Sequence, residues 1–322
     1  MIGLPRSGTK LLRGLLNEHP QVGIPLAETE FLQWWSKNWV RWGDLTDRGQ
    51  FQRFYDEVTL SAYFIYLQEE QGHLISADDW FAHVGDGSLP EVFEALLRHD
   101  ANIPLGGDGV WGDKSPGYVS QLPLIHRYFP HARVVHIVRD VRDYCLSINK
   151  AWGKNMVRAA QRWTDRIAMV RREGAAFGGQ LIEVRYEDLL SDPEPVLRSI
   201  CTLVGLPFDD RMLTLSQETE NIGSARGQKK IKRDNVAKYE QEMSPAIRNA
   251  IEAVSGHLLD ELGYPVDGKS SVKRIGRPRM LAYQMLDGIN LIRADAGQRG
   301  WVGAARFRLR LFFETGEVEK GE

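Results

Sequence analysis

The stretch Met1-Ile2-Gly3-Leu4-Pro5-Arg6-Ser7-Gly8-Thr9-Lys10 decides how this chain is expected to fold. Its first four residues predict the end of a buried strand, and a helical pattern of leucines follows from Leu11 to Leu16. At such a strand–loop–helix junction, backbone N–H groups and the helix N-terminus can surround an anion. We therefore predict that residues 6–10 bind a phosphate group, although an ordinary turn between a strand and a helix has a similar composition.

This loop differs from the one that binds nucleoside triphosphates. There, Lys follows the second Gly directly, and the next residue is a Ser or Thr whose hydroxyl binds Mg²⁺. Here Thr9 follows Gly8 and Lys10 comes after it, while Arg6 supplies a cation earlier in the loop. The pattern predicts phosphate binding without the Lys and hydroxyl–metal arrangement that breaks a phosphoanhydride bond.

Two further strands extend the pattern. Residues 133–138 are apolar on both faces and end at Arg139-Asp140, where Asp140 is placed to cap a following helix. Residues 180–185 predict a third strand. Strands separated by helical stretches favour a parallel sheet with helices on both faces. We therefore expect an α/β fold, P-loop-like and three-layered, with a central parallel sheet.

A second anion-binding element is predicted at the end of the middle strand. Ser147 follows Arg139 by eight residues, so in a helix that starts near Val141 it faces back toward the strand end. A guanidinium and a hydroxyl that converge there would hold a second phosphate. An Arg-Asp pair after a strand is also common as a helix cap with a surface charge. The prediction of a second phosphate site therefore depends on its occurring together with the first loop.

The overall composition is that of a folded protein. Of 322 residues, 43% are hydrophobic and 26% are charged, which excludes a mainly disordered chain. We expect no transmembrane helix and no secretory signal, and the short first strand leaves a truncated N-terminus open. Two cysteines, Cys145 and Cys201, cannot form a disulfide framework, so a cytoplasmic location is expected. The net charge of −2 argues against a nucleic-acid partner.

The positive charge is concentrated near the C-terminus. Between Lys269 and Phe313, ten basic residues stand against two acidic ones, a local net charge of +8. We place a boundary after Pro265, which gives an α/β domain at residues 1–265 and a basic extension at residues 266–322. Residues 280–292 predict an amphipathic helix in that extension. Peripheral membrane contact, a homo-oligomer contact, a platform for an acidic acceptor and a solvent-exposed tail all fit it.

Residues 28–105 predict a mostly helical insertion that is rich in aromatic side chains. Four tryptophans fall within nine residues: Trp34, Trp35, Trp39 and Trp42. Their flat faces would suit stacking on a sugar or another ring-containing acceptor. The near-helical spacing of three of them fits a core stripe equally well.

Together these motifs resemble the PAPS-dependent sulfotransferase family, of bacterial type and similar to the branch that acts on tyrosyl proteins and glycans. The loop resembles the family's P-R-S-G-T, which binds a 5′-phosphosulfate, and the Arg139 and Ser147 spacing resembles its 3′-phosphate site. Asp113-Lys114-Ser115-Pro116 and Arg185-Tyr186-Glu187-Asp188-Leu189 resemble two further family motifs, in the expected order over residues 1–264. The resemblance implies 3′-phosphoadenylyl sulfate (PAPS) as donor and adenosine 3′,5′-bisphosphate (PAP) as product.

The resemblance also implies roles for single residues. In-line sulfuryl transfer needs a base for the acceptor proton and cations at the leaving oxygen. Glu28 is the expected base, and Glu30 is its competitor. Alternatively, both acidic residues simply begin a helix, where the helix dipole favours them. Lys114 and Arg6 are the expected cations, although a loop lysine is often solvated. No metal is expected, since a sulfuryl group carries less charge than a phosphoryl group.

Other residues are expected to contact the nucleotide. Tyr186 would pack against adenine, and a basic segment would close over the nucleotide through Arg226, Lys230 and Arg233. The family's R-K-G pattern is not literally present there, so a solvated charge run fits as well. His136 is expected to be a hydrogen-bonded core histidine rather than a base.

The resulting hypothesis is a sulfotransferase that acts on a hydroxyl of a small molecule, a glycan, a glycolipid or a lipid-like acceptor. One alternative is an ATP- or GTP-dependent small-molecule kinase of the P-loop class, which would need the Gly-Lys-Ser/Thr order and a Mg²⁺ site. The other is a non-catalytic module that binds sulfated glycans.

Overall fold

The computed structural model describes residues 1–71, 74–218, 227, 229–266 and 273–315. The strands are β1 (Ile2–Gly3), β2 (Val22–Gly23), β3 (Val110–Trp111), β4 (Val134–Val138) and β5 (Leu181–Arg185). The helices are α1 (Thr9–Asn17), α2 (Leu32–Asn38), α3 (Arg48–Val58), α4 (Ala62–Gln71), α5 (Ala77–Phe81), α6 (Leu89–Asp100), α7 (Leu122–Tyr128), α8 (Val141–Trp152), α9 (Met156–Gly174), α10 (Tyr186–Ser191), α11 (Pro193–Val204), α12 (Tyr239–Glu242), α13 (Pro245–Glu261) and α14 (Arg277–Thr315). Short 3-10 turns lie at Trp39–Trp42, Pro116–Ser120, Ala175–Gln180 and Asp210–Leu213.

The three strands predicted from the sequence form one parallel sheet in the order β1-β4-β5. Ile2 lies opposite His136 and Val134 lies opposite Leu181. All five residues of the middle strand β4 are buried, as its mostly apolar sequence, with His136 as the exception, predicts for a strand covered on both faces. The expectation of an α/β fold with a parallel sheet is confirmed.

A second, two-stranded sheet was not predicted. Its strands β2 and β3 run parallel, with Val22 opposite Val110 and Gly23 opposite Trp111. Two-residue strands show no measurable period, so the sequence gives no signal for them. The pairing matters for the site because parallel strands end at the same edge of their sheet, and the segments 24–31 and 112–118 both leave from that edge.

The chain forms two compact units, which are described separately. The first contains the described residues of 1–138, 169–221 and 226–233, and it includes both sheets. The second contains the described residues of 139–168 and 234–322, with α8, α12, α13 and α14. The proposed domain boundary at residue 265 stays a prediction.

The aromatic segment supplies a core within the first unit. Trp35 is 1% exposed and stacks on Phe31 with ring centroids 4.5 Å apart, and Phe54 packs edge-on against it. Trp42 is also buried, whereas Trp34 is 42% exposed. The core interpretation is therefore confirmed for Trp35 and Trp42, and Trp34 is the member of the cluster that presents a ring to solvent.

In the second unit, α13 packs through the stripe that its sequence predicts, with Ile251, Val254 and Leu258 buried. None of the helices that the structure describes combines the length and the apolar composition needed to span a bilayer.

Candidate active site

The loop after β1 is a tight turn with two left-handed residues. The Ser7 N–H donates to the Leu4 carbonyl at 3.2 Å. Arg6 has φ 67° and Gly8 has φ 90°. A non-glycine residue with positive φ is strained by about 1 kcal/mol or more, and such strain is concentrated at ligand-binding sites. The backbone of this loop is therefore strained in the way that is typical of ligand-binding turns.

Helix α1 begins directly after this turn. Gly8 is its N-cap, and in the described part of the chain no side chain caps the helix there. The first-turn N–H groups of a helix carry partial positive charge and bind anions well. Ser7 and Thr9 are buried, while Arg6 and Lys10 are half-buried. The loop predicted from the sequence thus presents donors and cations around the start of α1.

Tyr186 packs directly on the loop. It is 5% exposed, and a Cβ placed on Gly8 would collide with the Cδ2 and Cε2 atoms of its ring. Only glycine fits this position, both because of its φ and because of the ring. The structure brings Tyr186 to the loop, and its contact with adenine stays a prediction.

Glu28 and Lys114 form an ion pair between their side chains. They lie on the segments that leave β2 and β3, and the parallel pairing of those strands explains how residues so distant in sequence meet. Lys114 is 1% exposed, whereas the Glu28 side chain is 17% exposed. The solvated alternative for Lys114 is therefore wrong.

Several cations surround this pair. Burial lowers the pKa of Lys114 and the Glu28 carboxylate raises it, while the charges of Arg13 and Lys10 lower it further. Arg13 is buried on α1, and its Nη1 donates to the Leu26 carbonyl at 2.6 Å. The first unit thus gathers three cations and one carboxylate beside the loop. Arg13 was missed by the sequence analysis, although a charge beside the leucine stripe of α1 was a signal for it.

Thr29 connects the two segments that carry the ion pair. Its hydroxyl donates to Asp113 Oδ2 at 2.7 Å and lies 2.7 Å from the Tyr118 hydroxyl and 3.2 Å from Ser115 Oγ. Because the single Thr29 proton goes to Asp113, the Tyr118 hydroxyl is the donor toward Thr29. This buried network fixes Glu28 relative to Lys114. The sequence alone gave no sign of it beyond the proximity of these residues to the two predicted ones.

Burial raises the pKa of two members of this network, Tyr118 and Asp113. The pKa of Tyr118 lies well above its usual value, chiefly because burial disfavours the phenolate. The pKa of Asp113 is also raised by burial, against the effect of the Thr29 hydrogen bond. The tyrosine therefore stays protonated and keeps its hydrogen-bond donor.

Glu30 has a different position from its neighbour Glu28. Its Oε1 accepts a hydrogen bond from the Gly117 N–H at 3.1 Å, and its own backbone has φ 45°. Glu30 thus holds the 112–118 segment through that backbone N–H, whereas Glu28 contacts the Lys114 ammonium. Of the two candidate bases, Glu28 is the one placed in the cluster of cations.

The second anion-binding candidate belongs to the second unit. Arg139 is 6% exposed, and its Nη2 donates to the Asn235 carbonyl at 3.2 Å and lies 3.9 Å from Asp143 Oδ2. Asp140 caps α8 by accepting from the Arg142 N–H, as predicted. Ser147 follows Asp143 by four residues on α8, so both lie on one face of the helix.

The remaining predicted residues lie elsewhere. Lys230 and Arg233 line a cavity of about 390 Å³ together with residues at the start of α11, and no residue of the 6–10 loop lines it. Arg226 lies outside the described residues. His136 is 1% exposed, with Nδ1 3.0 Å from Glu183 Oε2, so its assignment as a core histidine is confirmed.

The chain matches known proteins over most of its length. The family model described as "Sulfotransferase family" matches residues 1–210. A putative protein-tyrosine sulfotransferase of Caenorhabditis briggsae is 25% identical over 66% of this chain and 66% of its own length. Protein-tyrosine sulfotransferase 1 of Danio rerio is 24% identical over 70% of this chain and 57% of its own length. The chain thus spans less than two thirds of the length of these two relatives.

Two solved structures share the fold. The sulfotransferase domain of the Synechococcus PCC 7002 olefin synthase superposes with a TM-score of 0.56 at 21% identity, over 83% of this chain and 94% of that domain. The sulfotransferase domain from the curacin biosynthetic pathway gives a TM-score of 0.53 at 19% identity, over 83% of this chain and 97% of that domain. The P-loop-like α/β fold expected from the sequence is confirmed.

Proposed function

The chain belongs to the sulfotransferase family, and on that premise we propose that it transfers a sulfuryl group from PAPS to an acceptor hydroxyl. The observation that carries this proposal is the cluster of the first unit. There the Lys114 ammonium pairs with the Glu28 carboxylate, and the charges of Arg13 and Lys10 are near enough to lower the pKa of Lys114, beside the loop proposed to bind an anion. A transfer reaction that builds negative charge on a leaving group needs such a group of cations with one base.

Donor binding is assigned to two elements. Arg6, Ser7, Gly8, Thr9 and Lys10 hold the 5′-phosphosulfate, supported by the strained turn and the helix N-terminus. In the second unit, Arg139 and Ser147 hold the 3′-phosphate.

Four further residues are proposed to contact the donor nucleotide. Tyr186 packs against adenine. Arg226, Lys230 and Arg233 contribute positive charge to the closed nucleotide site, a role that rests on the family resemblance.

The chemical step follows from the ion pair. The acceptor oxygen attacks sulfur, a new S–O bond forms, and the bond from sulfur to the bridging oxygen breaks, so that PAP leaves with the electron pair. Glu28 takes the proton of the acceptor hydroxyl, and its carboxylate is held in place by the ion pair with Lys114. Lys114 and Arg6 stabilise the charge on the departing oxygen. Burial strengthens the Lys114 contribution because the surrounding dielectric constant is low.

The acceptor is assigned to a class only. The insertion at 28–105 is proposed to bind it, with Trp34 as the exposed aromatic surface. A small molecule, a glycan, a glycolipid and a lipid-like hydroxyl are candidates from the sequence. The relatives named protein-tyrosine sulfotransferases add a tyrosyl hydroxyl to that group. We propose a cytoplasmic location from the cysteine content, and Cys145 and Cys201 are both buried free thiols.

The test is a transfer assay with PAPS labelled in its sulfur. The purified full chain is incubated with a tyrosine peptide, an oligosaccharide, a glycolipid and a phenol, in the presence and absence of Mg²⁺. We expect label in an acceptor, formation of PAP, and thermal stabilisation by PAP without metal. Transfer of phosphate from ATP with Mg²⁺, and none from PAPS, would establish the kinase instead. PAP binding with no transfer to any acceptor would favour a non-catalytic module.

A further inference from the structure

Helix α14 presents an apolar row to solvent. Leu281, Met285 and Ile289 are spaced four residues apart and so lie on one face of the helix. They are 53%, 61% and 46% exposed. Single exposed apolar side chains are common on proteins, but a continuous row of large ones marks a surface that binds something.

The opposite side of α14 is held by contacts with other residues of the second unit, to which the helix belongs. Asp287 is 2% exposed and accepts hydrogen bonds from Arg158 Nη1 and from the Asn155 N–H, each at 2.7 Å. Leu291 is 1% exposed, and Asn290 Nδ2 donates to the Gly153 carbonyl at 2.8 Å. A buried ion pair is costly to break, so this attachment sets the rotation of the helix. The apolar row is thereby held toward solvent.

Arginines stand at both ends of the row. Arg277 precedes Leu281 by four residues and Arg293 follows Ile289 by four, and because each four-residue step turns about 40° around the helix, the two arginines flank the apolar row on opposite sides. Both arginines are exposed. Asp287 is the single acidic residue between Lys273 and Arg293, and it is already paired with Arg158. The face therefore combines apolar side chains with positive charge that no acidic residue of the described stretch 274–292, other than the paired Asp287, can offset.

A break in α14 adds an aromatic side chain. Gly300 has φ 67° and ψ 163°, which are not helical, and the next two residues, Trp301 and Val302, are 64% and 66% exposed. Tryptophan is favoured at the boundary between lipid headgroups and acyl chains. An exposed Trp beside a basic amphipathic helix is typical of a segment that lies in that boundary.

We propose that the exposed face of α14, made of Arg277, Leu281, Met285, Ile289 and Arg293, binds the surface of a membrane that contains anionic lipids. The apolar side chains enter the headgroup region, and the long arginine side chains reach lipid phosphates. A second copy of the chain is a poorer occupant of this face. Two such helices would each bring both flanking arginines toward the contact, while Asp287, the acidic residue between them in sequence, is already paired with Arg158.

Vesicle sedimentation with the full chain tests this proposal without any assay of transfer. One set of vesicles contains phosphatidylcholine alone and the other contains phosphatidylcholine mixed with phosphatidylserine. We expect binding to the anionic vesicles at low salt and little binding to the neutral ones, with a loss at high salt as the charges are screened.

Two variants separate the apolar contribution from the charged one. L281S/M285S/I289S removes the apolar row, and R277Q/R293Q removes the terminal charges. Each is expected to weaken binding to anionic vesicles by at least about tenfold. Leu60→Ser is the matched control, because Leu60 is an exposed apolar residue of the first unit and is expected to leave binding unchanged. Because all of these side chains are exposed, each variant is expected to fold, and thermal unfolding verifies that it does.

Three results would overturn the proposal. These are the absence of binding to anionic vesicles, equal binding to neutral vesicles, and wild-type binding by L281S/M285S/I289S. Sedimentation equilibrium of the protein without vesicles tests whether a second copy of the chain binds the apolar row instead. A concentration-dependent dimer that the same variant abolishes, in a chain that does not bind vesicles, would show that a second copy covers the row.

Discussion

The two elements proposed to bind the donor's phosphates use different parts of the chain. In the loop 4–10, the binding groups are mainly backbone N–H groups, set by the positive φ of Arg6 and Gly8. At Arg139, the binding group is a buried guanidinium, which donates to Asn235 and lies near Asp143. The difference implies that the loop is sensitive to changes in backbone conformation, whereas the second element is sensitive to the loss of one side chain.

The largest expected effect is that of Gly8→Ala. The new Cβ requires both a left-handed backbone at an L-residue and a shift of the Tyr186 ring. We expect a loss of about 2–4 kcal/mol in the free energy of unfolding, measured by urea denaturation, together with loss of PAP binding.

Gly205→Ala is the matched control for this change. Gly205 has φ 77° but no atom within 4 Å of its would-be Cβ, so it carries the conformational cost alone, about 1 kcal/mol. Equal destabilisation by the two substitutions would contradict the role assigned to the contact between Tyr186 and the loop.

Arg139→Ala tests the side-chain element. A charged hydrogen bond contributes about 1.5–3 kcal/mol, so the affinity for PAP should fall by roughly 10- to 150-fold in a calorimetric titration. The comparison ligand is adenosine 5′-phosphosulfate, which lacks the 3′-phosphate, and its affinity should not change. If both ligands lose affinity equally, Arg139 does not act on the 3′-phosphate.

A smaller effect is expected from Lys114→Arg, and it concerns pH. Burial lowers the pKa of Lys114 below its usual 10.5, and the proposed role requires the charged form. The kcat of the wild type should therefore decline at alkaline pH, starting below pH 10.5. A guanidinium stays charged there, so the variant should keep its rate to higher pH even if its maximum is lower. If kcat declined at the same alkaline pH in the variant and in the wild type, this would contradict the role of Lys114 as the charged group that stabilises the leaving oxygen.

The elements that the sequence predicted correctly have strong local signals. Strand β4 has four apolar residues among its five, and the loop before α1 has glycines five positions apart. In each case the physical cause, burial on both faces or a required positive φ, acts on neighbouring residues. The parallel sense of the sheet then follows from strands linked by helices, whereas its order, β1-β4-β5, was not predicted and comes from the structure.

The details of the site could not be predicted in this way. Thr29 meets Asp113, Ser115 and Tyr118 across more than 80 residues of sequence, and that contact depends on the pairing of two-residue strands. The burial of Lys114 has the same origin, since a lysine in a loop has no local reason to be inaccessible. Long-range polar networks of this kind appear only once the chain is folded.

The surface of α14 shows another limit. Its apolar spacing resembles that of the tryptophan segment, yet Trp35 is 1% exposed and Met285 is 61% exposed. The period of a sequence indicates which residues share a face, and it does not indicate whether that face is covered.

The most direct test of the account is a single-turnover measurement of sulfuryl transfer by the wild type, Glu28→Gln and Glu30→Gln, with saturating labelled PAPS. We predict that Glu28→Gln slows transfer by about 10²- to 10⁴-fold while PAP affinity is retained. Glu30→Gln should stay near the wild-type rate, because its amide oxygen can still accept from the Gly117 N–H. Normal transfer by Glu28→Gln would contradict the assignment of the Glu28 and Lys114 pair as the centre of the reaction.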